Sequence, residues 1–183
     1  MKPRYILLTA GLAAMGAPAQ SAVTVIGNSF ARMCYTAAEG VGGTDAIGEC
    51  DKALLAENLT ISDMVATHVN RGILKLRRGS VEGAIADFDR AIVLDAGEAE
   101  AYLNKGMALL RLQGSGEQAL GLFDMALVKK TRRPAFAYYG RAIAHELNGR
   151  IPAAYRDYRQ ASALEPKWRD PQNELARFTV RRQ

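Results

Sequence analysis

Two stretches of this chain restate one pattern. His68 to Leu76 reads HVNRGILKL and Tyr102 to Leu110 reads YLNKGMALL, so Asn, a basic residue and Gly fall in the same order 34 residues apart. A period of this length marks a supersecondary unit repeated in tandem, because a single unit cannot bury its apolar face and must stack on its copies. The period extends past the opening match. Ala84, Phe88 and Ala91 follow Gly72 at helical spacing, and Ala119, Phe123 and Ala126 follow Gly106 in the same way. Each unit therefore reads as two amphipathic helices. Gly79-Ser80 and Gly114-Ser115-Gly116 supply the turns, where Gly accepts positive φ and Ser is expected to cap the following helix.

These residues resemble the tetratricopeptide repeat. Its pattern of a large residue, a small residue, a later aromatic and a second helix reading Ala-x-x-x-Phe-x-x-Ala is matched in three consecutive units. Residues 65–98 place His68, Gly72, Ala84, Phe88 and Ala91 at these sites. Residues 99–134 place Tyr102, Gly106, Ala119, Phe123 and Ala126, and residues 135–168 place Tyr138, Ala142, Ala154, Tyr158 and Ala161. The first unit departs from the pattern at Lys75, where an aromatic is usual. A degenerate copy over 27–60 sets Phe30, Cys34, Ala46, Cys50 and Ala53 at the equivalent positions. The resemblance implies an all-α fold, a right-handed superhelical array of antiparallel helix pairs. It also implies that Cys34 and Cys50 face each other across the first pair, so that a disulfide would staple the terminal unit, with two buried thiols as the alternative. Residues 169–183 read as a single capping helix with Asp170 at the N-cap, Pro171 in the first turn, and Leu175 and Phe178 on its apolar stripe.

The chain opens with Lys2 and Arg4, an apolar run from Ile6 to Gly16, and small residues around Ala17-Pro18-Ala19. That is the build of a secretory signal peptide over residues 1–22, cleaved after Ala19 or after Ala22. An uncleaved anchor is the competing reading, although Pro18, Gln20, Ser21, Thr24, Gly27 and Asn28 interrupt the span a bilayer requires. The expected location is periplasmic or secreted, an oxidising setting in which a disulfide persists. Charge is unevenly divided: residues 20–128 hold 9 basic and 14 acidic residues, and residues 129–183 hold 13 basic and 5 acidic ones. The run KKTRRP at 129–134 lies in a loop between units, and the exported context argues against nucleic acid. An anionic membrane surface or an acidic partner is the secondary reading of this basic end.

An enzyme needs a nucleophile with a base, paired carboxylates or metal ligands, held close together. None is spaced for that here, and no cofactor or metal is expected. His68 and His145 fall on the inter-helix stripe, and the two cysteines make no Cys-x-x-Cys. Asp87, Asp89 and Asp95 read as a solvated face, and Asn58-Leu59-Thr60 is a chance-level glycosylation acceptor. What remains is a non-enzymatic interaction module. Asn70, Ile73 and Arg77 share one helix face, and Asn104, Met107 and Arg111 repeat it. The third unit offers Gly140, Ile143 and Leu147, with Tyr139 alongside. The resemblance implies that these faces line a concave groove holding a protein or peptide partner, with the asparagines on its backbone. Bonding of these asparagines to a neighbouring helix is the plainer alternative. Val69, Ile73 and Leu103 stand where the family's carboxylate clamp carries polar ligands, so recognition of a chain terminus of that kind is not expected.

Overall fold

The computed structural model describes residues 4–7, 21–25, 29–40, 45–56 and 58–181. Most of the expected signal segment, at 1–3 and 8–20, lies outside the described residues, as does Arg182. Nine helices follow one another among the described residues: α1 Ser29–Ala38, α2 Ala46–Ala56, α3 Ile61–Arg77, α4 Val81–Leu94, α5 Ala99–Leu109, α6 Gly116–Val128, α7 Pro134–Leu147, α8 Ile151–Leu164 and α9 Arg169–Ala176. They form four antiparallel pairs and a final single helix. Two short strands, β1 Arg4–Leu7 and β2 Phe178–Arg181, pair antiparallel with Leu7 opposite Phe178.

The repeated small and large residues explain the pairing. A Cβ placed on Gly72 would lie 2.5 Å from Phe88 Cε1, and one on Gly106 would lie 2.9 Å from Phe123 Cε1. Only glycine lets the two helices of those units close over the aromatic ring. Phe88, Phe123 and Tyr158 are fully buried at equivalent sites of α4, α6 and α8, each flanked by buried alanines. Cys50 takes this site in α2, and its disulfide to Cys34 joins α2 to α1 with a Cα–Cα distance of 4.8 Å. The first helices of successive units touch, α1 with α3, α3 with α5 and α5 with α7, which puts them on the inner side of the curve.

Helix ends show where local chemistry acts and where it does not. Gly79 and Gly149 close α3 and α7 with φ of +83° and +68°, and Gly114, at +76°, turns the loop that leads from α5 to α6. Ser80 and Ser115 stand at the N-caps of α4 and α6 but make no side-chain cap bond, contrary to expectation. Their backbone carbonyls accept from Ala84 N and Ala119 N as the first regular bonds of each helix. Helix α3 begins four residues ahead of the sequence unit, because Thr60 caps it through Asp63 N at 3.1 Å.

The C-terminal end differs from a continuous helix over 169–183. Helix α9 stops at Ala176, its N-cap is Trp168, and Asp170 sits inside the first turn accepting from Trp168 Nε1 at 3.0 Å. Trp168 stacks on Phe136, and Leu175 packs against the core of the last units. Phe178 is buried from the strand rather than from a helical stripe, 5.5 Å from the Tyr155 ring and 6.0 Å from the Tyr158 ring. The strand's pairing partner, β1, lies within the expected signal segment.

Candidate functional site

The groove on the inner side is occupied by the chain's own residues Ser21 to Val25. Asn70, in the middle of α3 and fully buried, accepts from Val23 N at 2.8 Å and donates to Val23 O at 2.7 Å. An amide that both donates and accepts thus holds both main-chain groups of one residue. Asn104, one unit later on α5, donates to Ser21 O at 3.1 Å and to Glu100 O at 2.9 Å. Its Oδ1 is buried with no partner among the described residues. Ser21, Ala22, Val23 and Val25 are buried, and Thr24 points outward.

The third unit breaks the series at Gly140. A Cβ there would run into the Phe123 ring and lie 3.0 Å from Met107 Sδ, so no asparagine fits. Ile73, Met107 and Ile143 are buried beneath the inner surface. Tyr139 packs edge-on against Tyr158 at 5.6 Å and against Trp168 at 4.8 Å, and its burial pushes the phenol above its ordinary range. Arg77 and Arg111 reach backward. Arg77 donates to Ala37 O at 3.4 Å, and Arg111 donates to Leu76 O at 2.7 Å, each closing a terminal carbonyl of the first helix in the unit before.

The basic residue before the small site, Arg71, Lys105 or Arg141, serves the stack. Arg71 meets Asp51 at 2.7 Å, Lys105 meets Asp89 at 2.5 Å and Arg141 meets Asp124 at 2.7 Å, so one cation per unit binds the preceding unit's second helix. Asp87 is not on a solvated face. It is buried, with His68 Nδ1 at 3.1 Å, Arg71 Nη2 at 2.5 Å and Lys75 Nζ at 2.8 Å. Burial alone would raise its carboxyl, but the bonds from His68, Arg71 and Lys75 hold it well below the usual carboxylate range. Lys75 therefore fills an aromatic site with an ion pair. Asp157 meets Arg141 Nε at 2.7 Å in the same way.

Beside the occupied groove lies a cleft of about 340 Å³, lined by Val23, Thr24, Glu98, Glu100, Lys130 and Arg132. Glu100 is buried on α5 and accepts from Thr131 Oγ1 at 2.9 Å and from Arg132 N at 2.7 Å, tying the loop after α6 to the groove wall. Burial raises the neighbouring Glu98 carboxyl. Sequence reading missed Ser21, Val23 and Glu100, which carry no periodic signal. The basic end is partly neutralised, since Arg132, Arg141, Arg150 and Arg177 all stand in ion pairs. Among the described residues no helix is long and apolar enough to cross a membrane.

Stacked antiparallel pairs with small and aromatic residues at these sites define a tetratricopeptide-repeat array. Solved structures carry the same fold. The chain is similar to the MamA crystal structure at 22% identity, over 82% of each chain with a TM-score of 0.64. It is similar to the Arabidopsis OM64 TPR domain at 24% identity, over 64% of this chain and 96% of that one, with a TM-score of 0.61. The second TPR domain of human RPAP3, solved in complex with the HSP70 peptide SGPTIEEVD, is 25% identical over 64% of this chain and 96% of that one, with a TM-score of 0.59. No family model and no curated protein matches the chain by sequence.

Proposed function

We propose that this chain is a non-enzymatic interaction module that holds an extended protein segment in its concave groove by main-chain hydrogen bonds. The observation that carries the reading is the Asn70 amide gripping both the N–H and the C=O of Val23. A side chain that reads backbone alone accepts many sequences. Similar folds have been solved with peptides SRMEEVD and SGPTIEEVD bound, which supports peptide capture by this architecture. In this chain Val69, Ile73 and Leu103 are buried and apolar, so the reading is a clamp on the middle of a segment rather than on a terminal carboxylate.

The module acts outside the cytoplasm in this reading, supported by the signal-like residues 1–22 and by a disulfide that an oxidising compartment preserves. N-terminal sequencing of the chain recovered from its native compartment tests this, and retention of Met1 in a cytoplasmic fraction overturns it. The groove is tested by selecting displayed peptides on residues 20–183 carrying Val23→Pro, which takes the chain's own Val23 N–H out of competition, and titrating a selected sequence against the same chain with Asn70→Ala and Asn104→Ala added. Affinity should fall by about 1–3 kcal/mol, at about 0.5–1.5 kcal/mol per net hydrogen bond. Unchanged affinity rejects the groove as the binding surface.

A further inference from the structure

Resting on the groove reading above and on cleavage after Ala19, which keeps Ser21 in the mature chain, we infer that Ser21–Val25 is a built-in occupant of the groove, and that an outside partner is an extended, uncharged segment with small and β-branched residues that displaces it. The occupant defines the chemistry. Ser21, Ala22, Val23 and Val25 are buried against the inner helices, no charge enters, and the only side chain pointing out is Thr24. A partner carrying a charge where Val23 or Val25 sits would have to bury it unpaired.

One contrast marks the occupant as replaceable. Asn70 has both of its polar groups engaged by Val23, whereas Asn104 engages Ser21 through Nδ2 alone and keeps a buried Oδ1 with no partner among the described residues. A segment that also presents an N–H to Asn104 Oδ1 completes the second clamp, which the chain's own segment leaves half made. The tether explains why an incomplete ligand nonetheless occupies the groove. Val25 and the start of α1 at Ser29 are only a few residues apart, so the segment is supplied at a high effective concentration that a free peptide must overcome.

The test uses residues 20–183 and a fluorescent peptide, acetylated and amidated, of the chain's own sequence QSAVTVIG, residues 20–27. Val23→Pro removes the N–H that Asn70 accepts while leaving every groove residue intact. The inference expects the peptide to bind the Val23→Pro chain at least tenfold more tightly than the parent chain, and the gain to vanish when Asn70→Ala is added. A peptide with Glu in place of Val25 should bind at least tenfold more weakly than QSAVTVIG. Equal and measurable binding by the parent and Val23→Pro chains overturns the built-in occupant and leaves the groove reading standing. No binding by either chain, together with loss of the selected peptides described above, overturns both. Hydrogen exchange of the unmodified chain decides independently of how the variant folds: a Val23 amide protected at least a hundredfold over a free peptide supports the occupant, and exchange at the free-peptide rate overturns it.

Discussion

Arg71 lies 2.7 Å from Asp51 of the preceding unit and 2.5 Å from the buried Asp87 of its own, so one guanidinium joins two repeats. The two contacts differ in weight. Asp51 is half exposed, where solvent screening leaves an ion pair worth about 0–1 kcal/mol. Asp87 is enclosed by three cationic or titratable partners, and removing it leaves them without their shared acceptor. Asp87→Asn should therefore cost about 3 kcal/mol in chemical denaturation, and Asp51→Asn, Asp89→Asn and Asp124→Asn less than about 1 kcal/mol each. A larger loss at Asp51 than at Asp87 would contradict this ranking.

Acid should unfold the array in two stages. Burial lowers the His145 pKa, so the unfolded chain binds that proton more readily and stability declines as pH falls below the unfolded value of about 6.5. The Asp87 carboxyl is held below its ordinary value, so its contribution is complete above the unfolded pKa of about 3.9 and is lost as pH falls from there through the folded value. Melting curves between pH 7 and pH 2 should show both declines, with the second shallower in Asp87→Asn.

Glycine at the small site of each first helix is set by the ring beneath it. Gly72→Ala should destabilise the chain by about 1–3 kcal/mol, because its Cβ would sit 2.5 Å from Phe88 Cε1. Gly106→Ala should cost less, its closest approach to Phe123 being 2.9 Å. Thermal melts of the two variants check the order.

The disulfide closes a span of 16 residues, for which the chain-entropy estimate is about 3 kcal/mol. Cys34→Ser with Cys50→Ser should lower stability by about that amount, and intact mass after alkylation without reductant should show no added label on the parent chain. Two labels on protein taken from its native compartment would disprove the bridge.

The asparagines should be unequal in stability as well as in binding. Asn70→Ala strands the N–H and C=O of Val23 and should cost about 1–3 kcal/mol, at about 0.5–1.5 kcal/mol per bond. Asn104→Ala also removes a buried acceptor that has no partner among the described residues, so its cost should be smaller. Denaturant titration of both single variants measures the difference.

What the sequence by itself determined is everything that repeats with the helix period or the unit period. Gly72 and Gly106 and the rings of Phe88, Phe123 and Tyr158 could be read from spacing, because a helix converts spacing directly into a shared face, while the facing of Cys34 toward Cys50 came from the resemblance alone. Tertiary structure decided what spacing does not encode. Asp87 is one of several acids along α4, and it is buried only because His68, Arg71 and Lys75 converge on it from α3. Arg77 and Arg111 share a face with the asparagines, yet their long side chains reach carbonyls of the unit before. The groove's occupant lay furthest from view. Ser21–Val25 has no period of its own, and its bonds to Asn70 and Asn104 span 47 and 83 residues of chain, so only the completed curve of the array brings those backbones and amides together.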